Sequence, residues 1–211
     1  MDRVSIKNKA KEMIKDNKWY IWKPLVYFLC FFVVLVLITT GIYFISSTVA
    51  EVVGAILDIC LSLISGALAV WYAKYLLDFV RGKKVDNIDY KEVLEFVKKN
   101  WVKAFLVSLV VGLNIMIGSI LLIVPGIMAT FGLMFYQEVH ADNLEMSTTD
   151  ILKRSWAITN GHKMDLFIMA LSFIGWEILA ELTLGILYIW LMPYTIVAFT
   201  LAYEYLKETT K

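Results

Sequence analysis

Two stretches of this chain run longer without a charged side chain than a bilayer is thick. Residues 24–50 hold no Asp, Glu, Lys or Arg over 27 positions, and residues 104–136 hold none over 33. About 20 apolar residues cross the hydrocarbon core as a helix, so the second run can enter the membrane and begin to return. No water is available there to satisfy the backbone, which restricts the chain to helices. Composition agrees: 60% of the residues are hydrophobic and the mean hydropathy is +0.70, against roughly 45–50% apolar in soluble domains.

A signal peptide is the alternative for the first run. Its basic N-terminus and Thr48-Val49-Ala50 fit loosely. An apolar signal core is about 7–15 residues, and this run is far longer, so a retained helix is expected. Cys30 and Cys60 both fall in apolar stretches and read as small apolar residues without a disulfide.

The net charge of +1 gives no reason to expect nucleic acid. The distribution of charge is informative. Lys and Arg gather before residue 24, at Lys74, between Arg81 and Lys103, between Lys153 and Lys163, and at Lys207 and Lys211. The segments around Ser46-Ser47-Thr48, Val124-Pro125-Gly126 and Thr183-Leu184-Gly185 hold no basic residue. Basic residues stay on the cytoplasmic side, so the three short turns are expected outside and both termini in the cytosol.

The fold expected is all-α and polytopic, a single membrane domain over residues 1–211. It has six transmembrane helices in three hairpins, at 24–47 with 52–78, 103–123 with 125–141, and 164–182 with 185–206. Pro125 suits a helix's first turn, and Pro193 is expected to kink the sixth helix.

A cytosolic amphipathic helix is expected before each hairpin, so that 1–80, 85–141 and 147–206 form three degenerate units. Helical spacing aligns Ile6, Ala10, Met13 and Ile14; then Tyr90, Val93, Leu94, Val97 and Trp101; then Ile151, Leu152, Ser155, Trp156 and Thr159. Ser147-Thr148-Thr149-Asp150 resembles a capping box. Asn17, Asn100 and Asn160 are expected to end the three helices. Basic apolar helices bind anionic headgroups. Lys7, Lys11, Lys15, Lys98, Lys99 and Arg154, with Trp19, Trp22, Trp101 and Trp156, are therefore candidates for the inner membrane surface.

Glu51, Asp58, Glu177 and Glu181 lie in the outer half of the apolar region with no cation nearby in sequence. A carboxylate in hydrocarbon is costly unless it faces a cavity or a partner. Asp58, Glu177 and Glu181 are thus candidates for a cation or proton site between the second and fifth spans, the alternative being protonation or headgroup placement. Asn114 is expected to bond between helices. Ser62, Gly66, Ser65 and Ala69 form small-xxx-small pairs, expected to serve internal packing. Glu138, His140 and Glu204 were weighed as metal ligands. The chain has no metal-type spacing, nucleophile elbow or phosphate-cradling loop, so no metal, cofactor or catalytic residue is expected.

The third hairpin carries a resemblance. Leu171-Ser172-Phe173-Ile174-Gly175-Trp176, Trp190-Leu191-Met192-Pro193-Tyr194 and Tyr203-Glu204 resemble the bacterial family called domain of unknown function 975. Ile123-Val124-Pro125-Gly126-Ile127 and the stretch from Ser155 to Lys163 fit it too. That family is similar to the membrane domain attached to some glycerophosphodiester phosphodiesterases. The resemblance implies a six-helix protein of a bacterial cytoplasmic membrane, and it implies no activity or site residue. The function expected is non-enzymatic binding of anionic lipid or a membrane-active peptide, as in envelope stress or bacteriocin self-protection. A small transporter or channel, and a membrane subunit docking a protein partner, are the alternatives.

Overall fold

A computed structural model describes residues 1–15, 17–83 and 88–210. Lys84 and Lys211, counted above among the basic groups, lie outside the described residues. Among the described residues the fold is all-helical. The helices are α1 (Arg3–Lys15), α2 (Lys18–Ile45), α3 (Ser47–Val80), α4 (Tyr90–Leu121), α5 (Ile123–Leu133), α6 (Tyr136–Asp142), α7 (Thr148–Thr159), α8 (Lys163–Leu182) and α9 (Tyr188–Thr209).

Side-chain caps set the starts of α1, α3, α4 and α7. Asp2 Oδ1 accepts the amides of Val4 and Ser5 ahead of α1. Ser46 is the whole turn between α2 and α3, and its hydroxyl accepts from the Val49 amide. Asp89 caps α4 through the Lys91 amide. Ser147 caps α7 by accepting from the Asp150 amide at 3.2 Å, and its hydroxyl donates to the Asp150 carboxylate at 2.6 Å. Each cap satisfies amides that a helix start would otherwise leave unbonded.

Among the described residues, four helical segments are long and apolar enough to cross a membrane: Lys18–Phe44, Ser47–Val80, Tyr90–Ile120 and Tyr188–Thr209. Their outer faces are unusually bare. Leu29, Phe31, Leu37 and Phe44 of α2 are 54–84% exposed. Leu106, Leu113, Ile117 and Ile120 of α4 are also exposed. Contiguous apolar surface on this scale belongs in lipid.

Three expectations are corrected here. The second amphipathic segment is not a separate helix, because α4 runs unbroken from Tyr90 to Leu121. Asn100 does not end a helix; it is buried inside α4 and donates to the Phe96 carbonyl at 2.8 Å. The returning helix of the second hairpin is split, with α5 and α6 separated at Met134 and Phe135.

The third hairpin also departs from a simple pair of spans. Every 18-residue stretch of α8 holds three charged residues drawn from Lys163, Asp165, Glu177 and Glu181. The start of α9 lies beside the start of α2: Trp22 Nε1 donates to the Ile189 carbonyl at 2.9 Å, and Lys18 Nζ stands 5.4 Å from the Trp190 ring. A six-span path puts those two ends on opposite sides of the bilayer.

Helix α3 is the centre, packing against α2, α4, α6 and α9. Gly66 lies on α4, where an added Cβ would meet the Ala104 carbonyl oxygen at 3.0 Å. Gly66 thus serves packing within the chain, while Ser62 and Ser65 are exposed and donate to the Ile59 and Ser62 carbonyls of their own helix. Helix α1 buries Ile6, Ala10 and Ile14 and packs along α9. Each isoleucine so removed from water contributes about 1.5–3 kcal/mol.

The break after α5 is held by α7. The Gly132 carbonyl accepts from Ser155 Oγ at 3.2 Å and Thr159 Oγ1 at 3.1 Å. This supplies partners to one of the carbonyls that a helix end leaves free. The Trp156 ring lies so close to Gly132 that a Cβ there would sit 2.4 Å from two ring carbons. Gly175, in α8, has open space around it. Gly132→Ala should cost roughly 1–3 kcal/mol through overpacking, while Gly175→Ala should be near neutral. Thermal unfolding of the two variants checks this, and equal midpoints would refute the contact.

Candidate functional site

The C-terminal ends of α3, α6 and α9 meet in one polar cluster. Arg81, which caps α3, donates to Asp142 Oδ1 and to Glu204 Oε1, each at 2.7 Å. Tyr203 donates its hydroxyl to Asp142 Oδ2 at 2.7 Å, and Lys207 pairs with the same oxygen. Burial alone would disfavour the charge on Asp142. The bonds from Lys207, Tyr203 and Arg81 outweigh it and hold the carboxyl below its ordinary value of 3.8. Burial likewise opposes the charge on Arg81, and the bonds to Glu204 and Asp142 overcome it and raise its pKa. These groups neutralise one another, which makes the cluster a clamp.

A second group ties the N-terminus to α8. The terminal amine and Arg3 reach Asp165 at 3.4 and 3.3 Å, and His162 Nδ1 lies 3.2 Å from the same carboxylate. Helix α6 also carries Glu138 and His140. His140 is fully buried, and neither ring nitrogen has a hydrogen-bond partner among the described residues. Glu138 leaves one carboxylate oxygen equally unpartnered. The ligand set weighed above does not form, since Glu204 is taken by Arg81. Among the described residues no group of three or more His, Cys, Asp or Glu could hold a metal.

No helix packing brings Asp58 of α3 onto Glu177 and Glu181 of α8. Asp58, Glu177 and Glu181 are all exposed. Helix α8 packs on α5 and α9, and α3 and α8 share no extended interface. Asn114 is exposed and bonds within its own helix, Nδ2 to the Val110 carbonyl at 2.8 Å, so the interhelical bond expected of it is absent.

The candidates for the membrane surface are distributed as follows. Lys98, Lys99 and Trp101 are exposed on α4, and Trp19 and Lys15 are exposed at the turn into α2. Arg154 is half-buried. Trp156 is stacked on Gly132 and lies under Lys163 Nζ, 3.1 Å from its ring centre. Trp22 is half-buried and tied to α9. Lys7 and Lys11 point along the third hairpin: Lys7 donates to Ser172 Oγ at 2.8 Å and stands 4.6 Å from the Phe173 ring, and Lys11 stands 5.6 Å from the Tyr194 ring.

Helices α1, α8 and α9 enclose a cavity of about 390 Å³, with Lys7, Asn8 and Lys11 on one wall and Trp176, Trp190 and Tyr194 on the other. Sequence pattern missed this site, because it depends on α1 folding against the far end of the chain. The basic helix beside an aromatic hairpin was the available signal.

Residues 119–210 match the family described as Protein of unknown function (DUF975). The match is a similarity over less than half of the 211 residues. It covers the end of α4 through α9, the part of the chain in which the resemblance was read. No curated protein and no solved structure matches the chain.

The clamp makes a testable claim. Asp142→Asn should cost roughly 1–3 kcal/mol, the range for losing charged hydrogen bonds. A carboxyl held below its unfolded value gives stability that is present above that value and lost as pH falls through the native one. The wild-type midpoint should therefore drop on acidification below about pH 4, with a shallower drop in the variant. Parallel acid profiles would show that Asp142 carries no such linkage.

Proposed function

We propose that the chain is a non-enzymatic integral membrane protein that binds anionic lipid with the basic residues of its inner face. Helix α4 carries this reading. Because α4 is one continuous helix, Lys98, Lys99 and Trp101 are held at a fixed distance from its exposed apolar face. Lys99 and Leu106 are seven residues apart, or about 10 Å at 1.5 Å per residue. That spacing sets the ammonium groups at headgroup depth when the leucine is in acyl chains. Exposed apolar side chains on α2, α3 and α4 supply the embedding.

The proposal keeps both termini in the cytosol and lets α2, α3, α4 and the split return through α5 and α6 cross the bilayer. It sets α8 and α9, with α1 along them, at the inner face. Supporting this, Lys7 reaches Ser172 near the middle of α8, where a spanning helix would bury that ammonium in hydrocarbon at a cost of several kcal/mol. Transport through the outer acidic residues has less support, since they are exposed and apart.

The test uses purified protein in nanodiscs. Phosphatidylglycerol should raise the unfolding midpoint above that in phosphatidylcholine, and Lys98→Gln with Lys99→Gln should reduce the difference. Equal midpoints in the two lipids would defeat the proposal.

A further inference from the structure

The cavity between α1 and the α8–α9 hairpin has the chemistry of a site for one lipid. Its volume of about 390 Å³ falls within the roughly 300–1,000 Å³ typical of small-molecule pockets. No Asp or Glu lines it, and two ammonium groups do. Lys11 has no hydrogen bond or ion pair among the described residues, and its ammonium stands over the Tyr194 ring. Lys7 is held by Ser172 and the Phe173 ring. Both cations are thus aimed along the wall they share. Burial and then the neighbouring charge of Lys11 push the Lys7 ammonium below its ordinary pKa. A bound anion would relieve that repulsion.

The opposite wall is apolar and aromatic, made by Trp176, Leu187, Trp190 and Leu191. It continues outward into strongly exposed apolar residues, Leu184 at 94% and Ile186 at 62%. A free anion has no use for such a wall. An amphiphile uses both: a phosphate for the lysines and an acyl chain for the tryptophans. Indole rings also favour the boundary between headgroup and chain.

We infer that this cavity binds the headgroup of a single anionic phospholipid, its phosphate between Lys7 and Lys11 and its acyl chain along Trp176, Leu187 and Leu191. The inference rests on the lipid-binding proposal above and deepens it, naming one defined site apart from the general basic surface of α4.

The experiment is native mass spectrometry of the full chain titrated with phosphatidylglycerol. One lipid per chain should be retained after the rest are stripped, and equimolar phosphatidylcholine should not replace it. Lys7→Gln with Lys11→Gln should weaken that retention at least about tenfold, or 1.4 kcal/mol. Asn8→Trp, which fills the cavity and keeps both lysines, should do the same. Lys98→Gln with Lys99→Gln should leave the retained lipid in place. Unfolding midpoints in phosphatidylcholine nanodiscs confirm that each variant is folded. Retention unchanged in the folded Lys7/Lys11 and Asn8 variants would overturn the site, as would displacement of the lipid by inorganic phosphate alone. If phosphatidylglycerol still raises the midpoint of those variants, the general lipid-binding proposal survives the loss of this site. If wild type shows no preference between the two lipids, both fail.

Discussion

The cost of placing a charge in hydrocarbon orders this structure more than any single contact. Apolar surface in lipid is free of that cost, so α2, α3 and α4 can leave many of their Leu, Ile, Val and Phe side chains bare. Charged groups cannot be treated so, and they meet at helix ends where partners and water are available. Arg81, Asp142, Glu204 and Lys207 come from three separate helices yet share one cluster. The terminal amine, Arg3, His162 and Asp165 form another. Both tie sequence-distant segments together.

Within that frame, close backbone contacts decide which helices are neighbours. Gly66 brings α3 onto α4, and Gly132 lets α7 lay its tryptophan across the end of α5. The two hydroxyls of α7 that bond the Gly132 carbonyl explain how the second hairpin tolerates a break at Met134 and Phe135. On α6, His140 is fully buried and its imidazole has no hydrogen-bond partner among the described residues. An unsatisfied buried polar group there costs about 1–3 kcal/mol.

Much of this was legible in the sequence, and for identifiable reasons. Uncharged runs longer than a bilayer can only be helices, and the first two hairpins follow from them. The Ser147 cap and the buried face of Ile6, Ala10 and Ile14 follow from local spacing. What escaped was whatever depends on distant partners. Asn100 reads as a helix end, but tertiary packing buries it in mid-helix. Asn114 reads as interhelical, yet its own preceding turn is the nearest acceptor. The N-terminal lysines read as a free membrane-binding face, and nothing local reveals that Lys7 and Lys11 meet Phe173 and Tyr194. Asp142 drew no notice, since its importance comes from three residues more than 60 positions away.

The most direct test concerns which side of the bilayer the polar ends occupy. With Cys30 and Cys60 replaced, Lys98→Cys and Leu184→Cys would each be exposed to a membrane-impermeant maleimide in intact cells and in inverted vesicles. Both positions should react only in the inverted vesicles, as one-sided charge and an inner-face third hairpin require. Reaction of Leu184→Cys in intact cells would show the third hairpin crossing the membrane, and reaction of Lys98→Cys there would contradict the arrangement as a whole.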